Sequence, residues 1–173
     1  MANISAREKP APPTTLSPRL GELQAILEDE IPICRQMGIA VHHGSDDGLV
    51  LRMPLVLNLN HQQTAFAGSL NALCTIAGWG SVFLMLKDLG REGSIVIRRS
   101  TIRYHEPVTS AEVFARALPV AAEARQYFAE MLDDKNQAKL DLTVEISGPE
   151  RPLVTFGGSY VVILDGCVKN PTV

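Results

Sequence analysis

The residue types that could do chemistry gather in one polar stretch, Asn58-Leu-Asn-His-Gln-Gln-Thr-Ala-Phe-Ala-Gly-Ser69, which runs straight into an apolar segment from Leu70 to Leu86. Gly68 lets backbone come close to whatever lies above it, and Ser69 is a favoured helix N-cap. A buried helix opening there would turn its free N–H groups and the positive end of its dipole toward the loop. Such a terminus can hold a carbonyl oxygen or a phosphate. In the same stretch His61, with an unperturbed pKa of about 6.5, could deprotonate a water that Asn60 orients. The plainer reading is a surface turn capping a core helix, with His61 solvated.

Several other chemistries drop out. A Gly-x-Ser-x-Gly elbow is missing, since Ala67-Gly-Ser-Leu70 and Gly157-Gly-Ser-Tyr160 both lack its glycine spacing. No Walker or dinucleotide motif occurs. Cys34, Cys74 and Cys167 are odd in number and far apart, which fits free buried thiols in a reducing compartment rather than a disulfide frame or a zinc site. His42-His43 on a strand should put the two rings on opposite faces, against a shared metal, and no metal is expected. Glu106, beside His105, could act as an acid only if its strand end folds toward the helix start. The net charge of −3 gives no footprint for nucleic acid, the one local basic cluster being Arg98-Arg99 with Arg103.

These residues need a scaffold to position them. A chain of 173 residues, 46% hydrophobic and 20% charged, is long and apolar enough for one globular domain. Residues 1–18 are charged and Pro-rich, without the apolar core of an export signal, and read as a disordered tail. A single domain is expected over 19–168, with a short tail over 169–173. Leu20 to Met37 has the spacing of an amphipathic helix that Pro32 ends or kinks. Ile39–His43 and Leu49–Pro54 form a hairpin around Ser45-Asp-Asp-Gly48.

The segment Ala72 to Leu86 has no charge, yet falls short of the ~20 residues of a membrane span. It reads as the buried central helix, ended by Lys87, Asp88 and Gly90, and no membrane partner is expected. Strands follow at Ser94–Tyr104 and Glu112–Leu118, then a second helix at Ala121–Leu132. Ala138, Leu140, Leu142, Val144 and Ile146 alternate with Lys139, Asp141, Thr143 and Glu145, the pattern of a half-exposed antiparallel strand. Leu153–Leu164 is the last strand, in which Gly157-Gly158 predicts a bulge or a sharp bend. About six antiparallel strands wrapped around one long apolar helix make an α+β layer fold.

That order, with Asn60 and Phe66-Ala-Gly68 just before the central helix, resembles the hotdog fold of acyl-CoA thioesterases. More narrowly the chain resembles the YiiD C-terminal family, a thioesterase-like domain found behind an acetyltransferase in some bacterial proteins. The matching pieces are Asn60-His-x-x-Thr64-x-Phe66-x-Gly68-Ser-Leu70, Ala77-Gly-Trp-Gly80, Ile102-Arg-Tyr104-x-x-Pro107 and Thr155-Phe-x-Gly158-x-Tyr160-Val161. The resemblance implies hydrolysis of an acyl thioester whose carbonyl is polarised by the N–H of Gly68 or its neighbour. Coenzyme A or phosphopantetheine would enter as part of the substrate, with no separate cofactor.

In the phenylacetate-pathway type of hotdog enzyme, the catalytic acid falls at Thr75 of this chain, so the familiar carboxylate is missing. Thr75 could hold the water instead, or simply bond back to its own helix. Thr101 sits where related enzymes carry a threonine lining the site. Thr64, Phe66, Ser69 and Trp79 are expected around the substrate, and Arg99 or Arg103 near the coenzyme phosphates. A non-catalytic acyl-CoA or acyl-carrier-protein binder and a hotdog dehydratase remain open beside the hydrolase. Unpaired sheet edges and the resemblance both imply a homodimer, possibly a dimer of dimers, and the cysteine pattern makes the cytoplasm the expected compartment.

Overall fold

The computed structural model describes residues 16–165. The expected C-terminal tail, Cys167 and most of the expected N-terminal tail lie outside them. Helix α1 spans Pro18–Asp29 and α2 spans Pro32–Met37, so Pro32 does break the N-terminal helix, by starting the second piece at its first turn. Strands β1 (Ala40–Ser45) and β2 (Gly48–Pro54) form the expected hairpin. Its turn needs glycine, because Gly48 has φ of +107° and a Cβ there would sit 2.0 Å from the Ala117 carbonyl oxygen. The central helix α3 is Ala67–Asp88, followed by β3 (Gly93–Tyr104), β4 (Glu112–Ala117), α4 (Ala122–Lys135), β5 (Gln137–Ile146) and β6 (Val154–Leu164).

The six strands form one antiparallel sheet in the order β1-β2-β4-β5-β6-β3. The alternation read in β5 is realised residue by residue, with Ala138, Leu140, Leu142, Val144 and Ile146 buried and their neighbours turned outward. The buried face packs on α3, and its upper part also on Phe128 and Leu132 of α4. This is the α+β hotdog arrangement.

Helix and sheet meet closely at Tyr160. Its ring is fully buried and its hydroxyl donates to the Thr75 carbonyl at 2.8 Å. A Cβ on Gly78 would lie 2.3 Å from that hydroxyl oxygen, and one on Gly158 would lie 2.7 Å from the Phe156 and Tyr160 rings. Gly158 therefore makes room for aromatic rings rather than for a bulge. Both ladders of β6 run in regular register through Gly157 and Gly158, and the irregularity falls on β3 between Ile97 and Arg99.

Two further expectations are corrected. His42 and His43 do not point apart: a bulge in β1 between Val41 and His43 interrupts the alternation and brings the ring centroids to 5.0 Å. Among the described residues, no third ligand completes a metal cluster with them. The central helix also outgrows the apolar run that announced it. At 22 residues α3 is long and apolar enough to cross a membrane, and its packing against the strands, not a shortage of length, makes it the centre of a layered fold.

Candidate functional site at the start of the central helix

The loop before α3 is held by hydrogen bonds more than by packing. Asn58 is buried, and its Nδ2 donates to the carbonyls of Met37 and Pro54, both at 2.8 Å. Its own carbonyl accepts from the N–H of Phe66, the N-cap residue of α3, at 2.7 Å. Asn60 then closes the turn on itself. Its Oδ1 accepts from the N–H groups of Gln62 at 2.8 Å and Thr64 at 3.2 Å, while Nδ2 donates to Thr64 Oγ1 at 2.8 Å. Local bonds of this kind are what asparagine offers in a turn. They allow Gln63 its positive φ of 63°.

The helix opens two residues before Ser69. Phe66 is the N-cap, so Ala67, Gly68 and Ser69 are the first three helical residues, and no side chain caps their N–H groups. Ser69 thus sits inside the first turn and is not the cap. The reason is the backbone bond from Phe66 to Asn58, which fixes the chain entry earlier than the serine. Gly68 is exposed, and the Phe66 ring lies where a Cβ on Gly68 would be, 2.4 Å from Cε1.

Beside this uncapped turn lies a cavity of about 280 Å³, bounded by Asn60, Thr64 and Ala67 on one side and Tyr104, His105 and Glu106 on the other. The end of β3 does fold toward the helix start. Tyr104 donates its hydroxyl to the Ala67 carbonyl at 3.1 Å, and burial raises its pKa. His105 Nε2 lies 3.1 Å from Thr155 Oγ1. The Glu106 carboxylate is engaged twice by Arg151, at 3.0 Å from Nε and 2.6 Å from Nη2.

Of the residues expected at the site, Asn60 and Thr64 line the cavity, while Phe66, Gly68 and Ser69 form the N-cap and first turn of α3 without lining it. His61 stands exposed on the loop tip and does not line the cavity. Thr75 is two turns down α3, where its carbonyl receives Tyr160. Trp79 stacks on Phe83 with centroids 5.5 Å apart, further along the helix. Arg99, Thr101 and Arg103 share one face of β3, as their spacing predicts, but it is the face turned away from α3. Tyr104 and His105 join the site beyond the expected residues, and the one signal for them in the sequence is the Ile102-Arg-Tyr-x-x-Pro107 motif that contains both.

Solved structures show what this arrangement resembles. A protein of unknown function from Chlorobaculum tepidum superposes with a TM-score of 0.79 at 28% identity, over 83% of this chain and 93% of that one. A protein from Shewanella oneidensis named as a putative thioesterase is 33% identical, with a TM-score of 0.70 over 84% of this chain and 97% of its own. A thioesterase from Haemophilus influenzae, 18% identical, shares the fold with a TM-score of 0.64 over 88% of this chain and 94% of that one. The family model described as "Putative thioesterase (yiiD_Cterm)" matches residues 20–164. Thioester hydrolysis is the class of reaction that this match supports, and the chain belongs to the YiiD C-terminal thioesterase family.

Proposed function

We propose that this protein hydrolyses acyl thioesters of coenzyme A or of a carrier protein at the first turn of α3. One observation carries the reading: the N–H groups of the first turn of α3 have no side-chain cap, and the first residue of that turn, Ala67, lines the cavity shared by Asn60 and Tyr104. A thioester carbonyl placed there gains hydrogen bonds as negative charge develops on its oxygen, and loss of one such donor costs about 2.7–4 kcal/mol in other enzymes. Water attacks the carbonyl carbon, the C–S bond breaks, and the thiolate leaves and is protonated.

The water needs a base. Glu106 is held in an ion pair with Arg151, and both heads of the Asn60 amide are bonded within the loop. Asn60 on this view acts by shaping the turn. We assign the base to His105, which lines the cavity, with exposed His61 as the other imidazole of the region. Thr75 holds no place in this cavity, so Thr75→Ala should change kcat less than threefold.

Release of free thiol from a panel of acyl-CoAs and an acyl-carrier protein tests the reaction. Turnover is expected for at least one chain length, falling about a hundredfold in His105→Ala and little in His61→Ala. No turnover with any substrate, alongside measurable acyl-CoA binding, would favour the second reading, a non-catalytic binder. The ion-paired state of Glu106 is the observation on that side.

We also propose a homodimer in the cytoplasm. Strand β3 is an edge with an open ladder, and Val96 and Ile97 on it are 51% and 38% exposed. Pairing two copies along β3 would cover both. Light scattering should give twice the chain mass, and a monodisperse monomer with full activity would contradict it.

A further inference from the structure

The end of α3 remote from its first turn borders a second cavity, of about 190 Å³. Met85 on its wall lies about 27 Å along the helix from Ala67, so this cavity stands apart from the thioester chemistry. The wall is largely apolar: Leu20, Leu49 and Met85 are buried, and Leu84, Leu118 and Val120 are half-buried. A cavity of roughly 150 Å³ admits a benzene ring, so this one fits a single aliphatic or aromatic side chain and is too small for a long acyl chain.

The charged residues that line the cavity are Arg19, Asp46, Asp88 and Arg125. Arg19 is bound to Asp88. Asp46, in the turn of the β1–β2 hairpin, and Arg125, one turn into α4, are exposed, and neither forms an ion pair among the described residues. Two helix ends add their poles. Helix α3 ends at Asp88 with its carbonyl pole, whereas α4 starts at Ala122 without a side-chain cap and turns its N–H pole toward the chain at Val120. The cavity thus has one free carboxylate, one free guanidinium and helix poles of opposite sign around an apolar wall.

We propose that this cavity binds a free α-amino acid with an apolar side chain of about the size of leucine. The carboxylate meets Arg125 and the start of α4, in a charge-assisted hydrogen bond. The ammonium meets Asp46 and the carbonyl end of α3. The side chain covers Leu84, Leu118 and Val120, apolar surface that is otherwise left half-open. A simple carboxylate would leave Asp46 and the α3 pole unmatched, and a simple amine would leave Arg125 unmatched. The bound amino acid bridges the β1–β2 hairpin and α4 across the end of α3.

Calorimetric titration of the full-length protein with leucine tests this, alongside 4-methylpentanoate and 3-methylbutylamine, which keep its side chain and lack one charge each. Leucine should bind, and each analogue should bind at least tenfold more weakly. Aspartate, with the same head and a charged side chain, should not bind. Arg125→Gln and Asp46→Asn, both at exposed positions, should each weaken leucine about tenfold while the melting temperature without ligand stays unchanged. Ser81→Leu places a side chain in the cavity and should abolish binding. Leucine that does not bind wild type would overturn the proposal. So would 4-methylpentanoate or aspartate bound as tightly as leucine, or leucine bound equally by wild type and both charge variants.

Discussion

Two of the contacts that α3 makes with its surroundings are built in opposite ways. Along its middle, helix and sheet meet through bulk: Tyr160 fills the space left by Gly78 and Gly158, and nothing larger fits. At its start, chain entry is set by directional bonds from Asn58 and Asn60, next to exposed Phe66 and Gly68. A packed contact tolerates little change in volume, whereas a hydrogen-bonded loop tolerates volume and fails when a partner is lost. The start of α3 is therefore positioned by polar bonds, and Asn60 and Thr64 border a cavity rather than the core.

Gly78→Val breaks the packed side most severely. The new side chain meets the Tyr160 hydroxyl, and overpacking of this kind costs about 1–3 kcal/mol, with more from the lost bond to Thr75. Urea unfolding should show that loss, and an unchanged midpoint would mean that helix and sheet are less tightly joined than described. Ala67→Pro is the opposite experiment. Proline is well tolerated at the first helical position, and Phe66 already has φ −66° and ψ 130°, the extended conformation required before proline. Stability should hold while kcat falls about a hundredfold if that N–H stabilises the developing oxyanion. Equal loss of stability and rate would assign the residue to folding alone.

Asn60→Ala probes the loop itself. Removal of its bonds to Gln62 and Thr64 should cost about 1–2 kcal/mol of stability and cut kcat about a hundredfold, with a smaller change in KM. A large KM effect with kcat intact would make Asn60 a binding residue. The smallest effect is expected at the β1 bulge, remote from both contacts. Burial, then His42 and Arg116, lower the pKa of His43, so the unfolded chain binds that proton more readily than the folded one. Stability from His43 is present above its ordinary pKa of about 6.5 and is lost as pH falls through the lowered folded value. Thermal melts from pH 7 to 5 should therefore show a shallower fall for His43→Gln than for wild type.

Much of the scaffold was legible because single residues decide it. Pro32 cannot continue a helix, Asp46-Asp47-Gly48 must turn, and the alternation in β5 fixes which face is buried. What escaped depends on bulges and on partners distant in sequence. The inserted residue at Val41/His43 turned two histidine rings together against their alternation, and the one at Ile97/Arg99 re-set the faces of β3. The spacing of Arg99, Thr101 and Arg103 showed that they share a face, but β3 is a mixed edge strand whose sequence does not say which face meets α3. Asn60 was visible as a polar residue before the helix, yet its full commitment to the turn appears only when Thr64 and Gln62 fold back onto it. Cys34 and Cys74 are the free buried thiols expected, with pKa values pushed up to about 11 and about 12 by burial.

The central claim is that the thioester sits at the first turn of α3. A crystal structure with a non-hydrolysable acyl-CoA analogue tests it most directly. The carbonyl oxygen should lie about 2.7–3.1 Å from at least one of the N–H groups of Ala67, Gly68 and Ser69, with His105 within reach of the water position. A carbonyl seated elsewhere, beside Trp79 and Phe83 for example, with the first turn of α3 left to solvent, would contradict it.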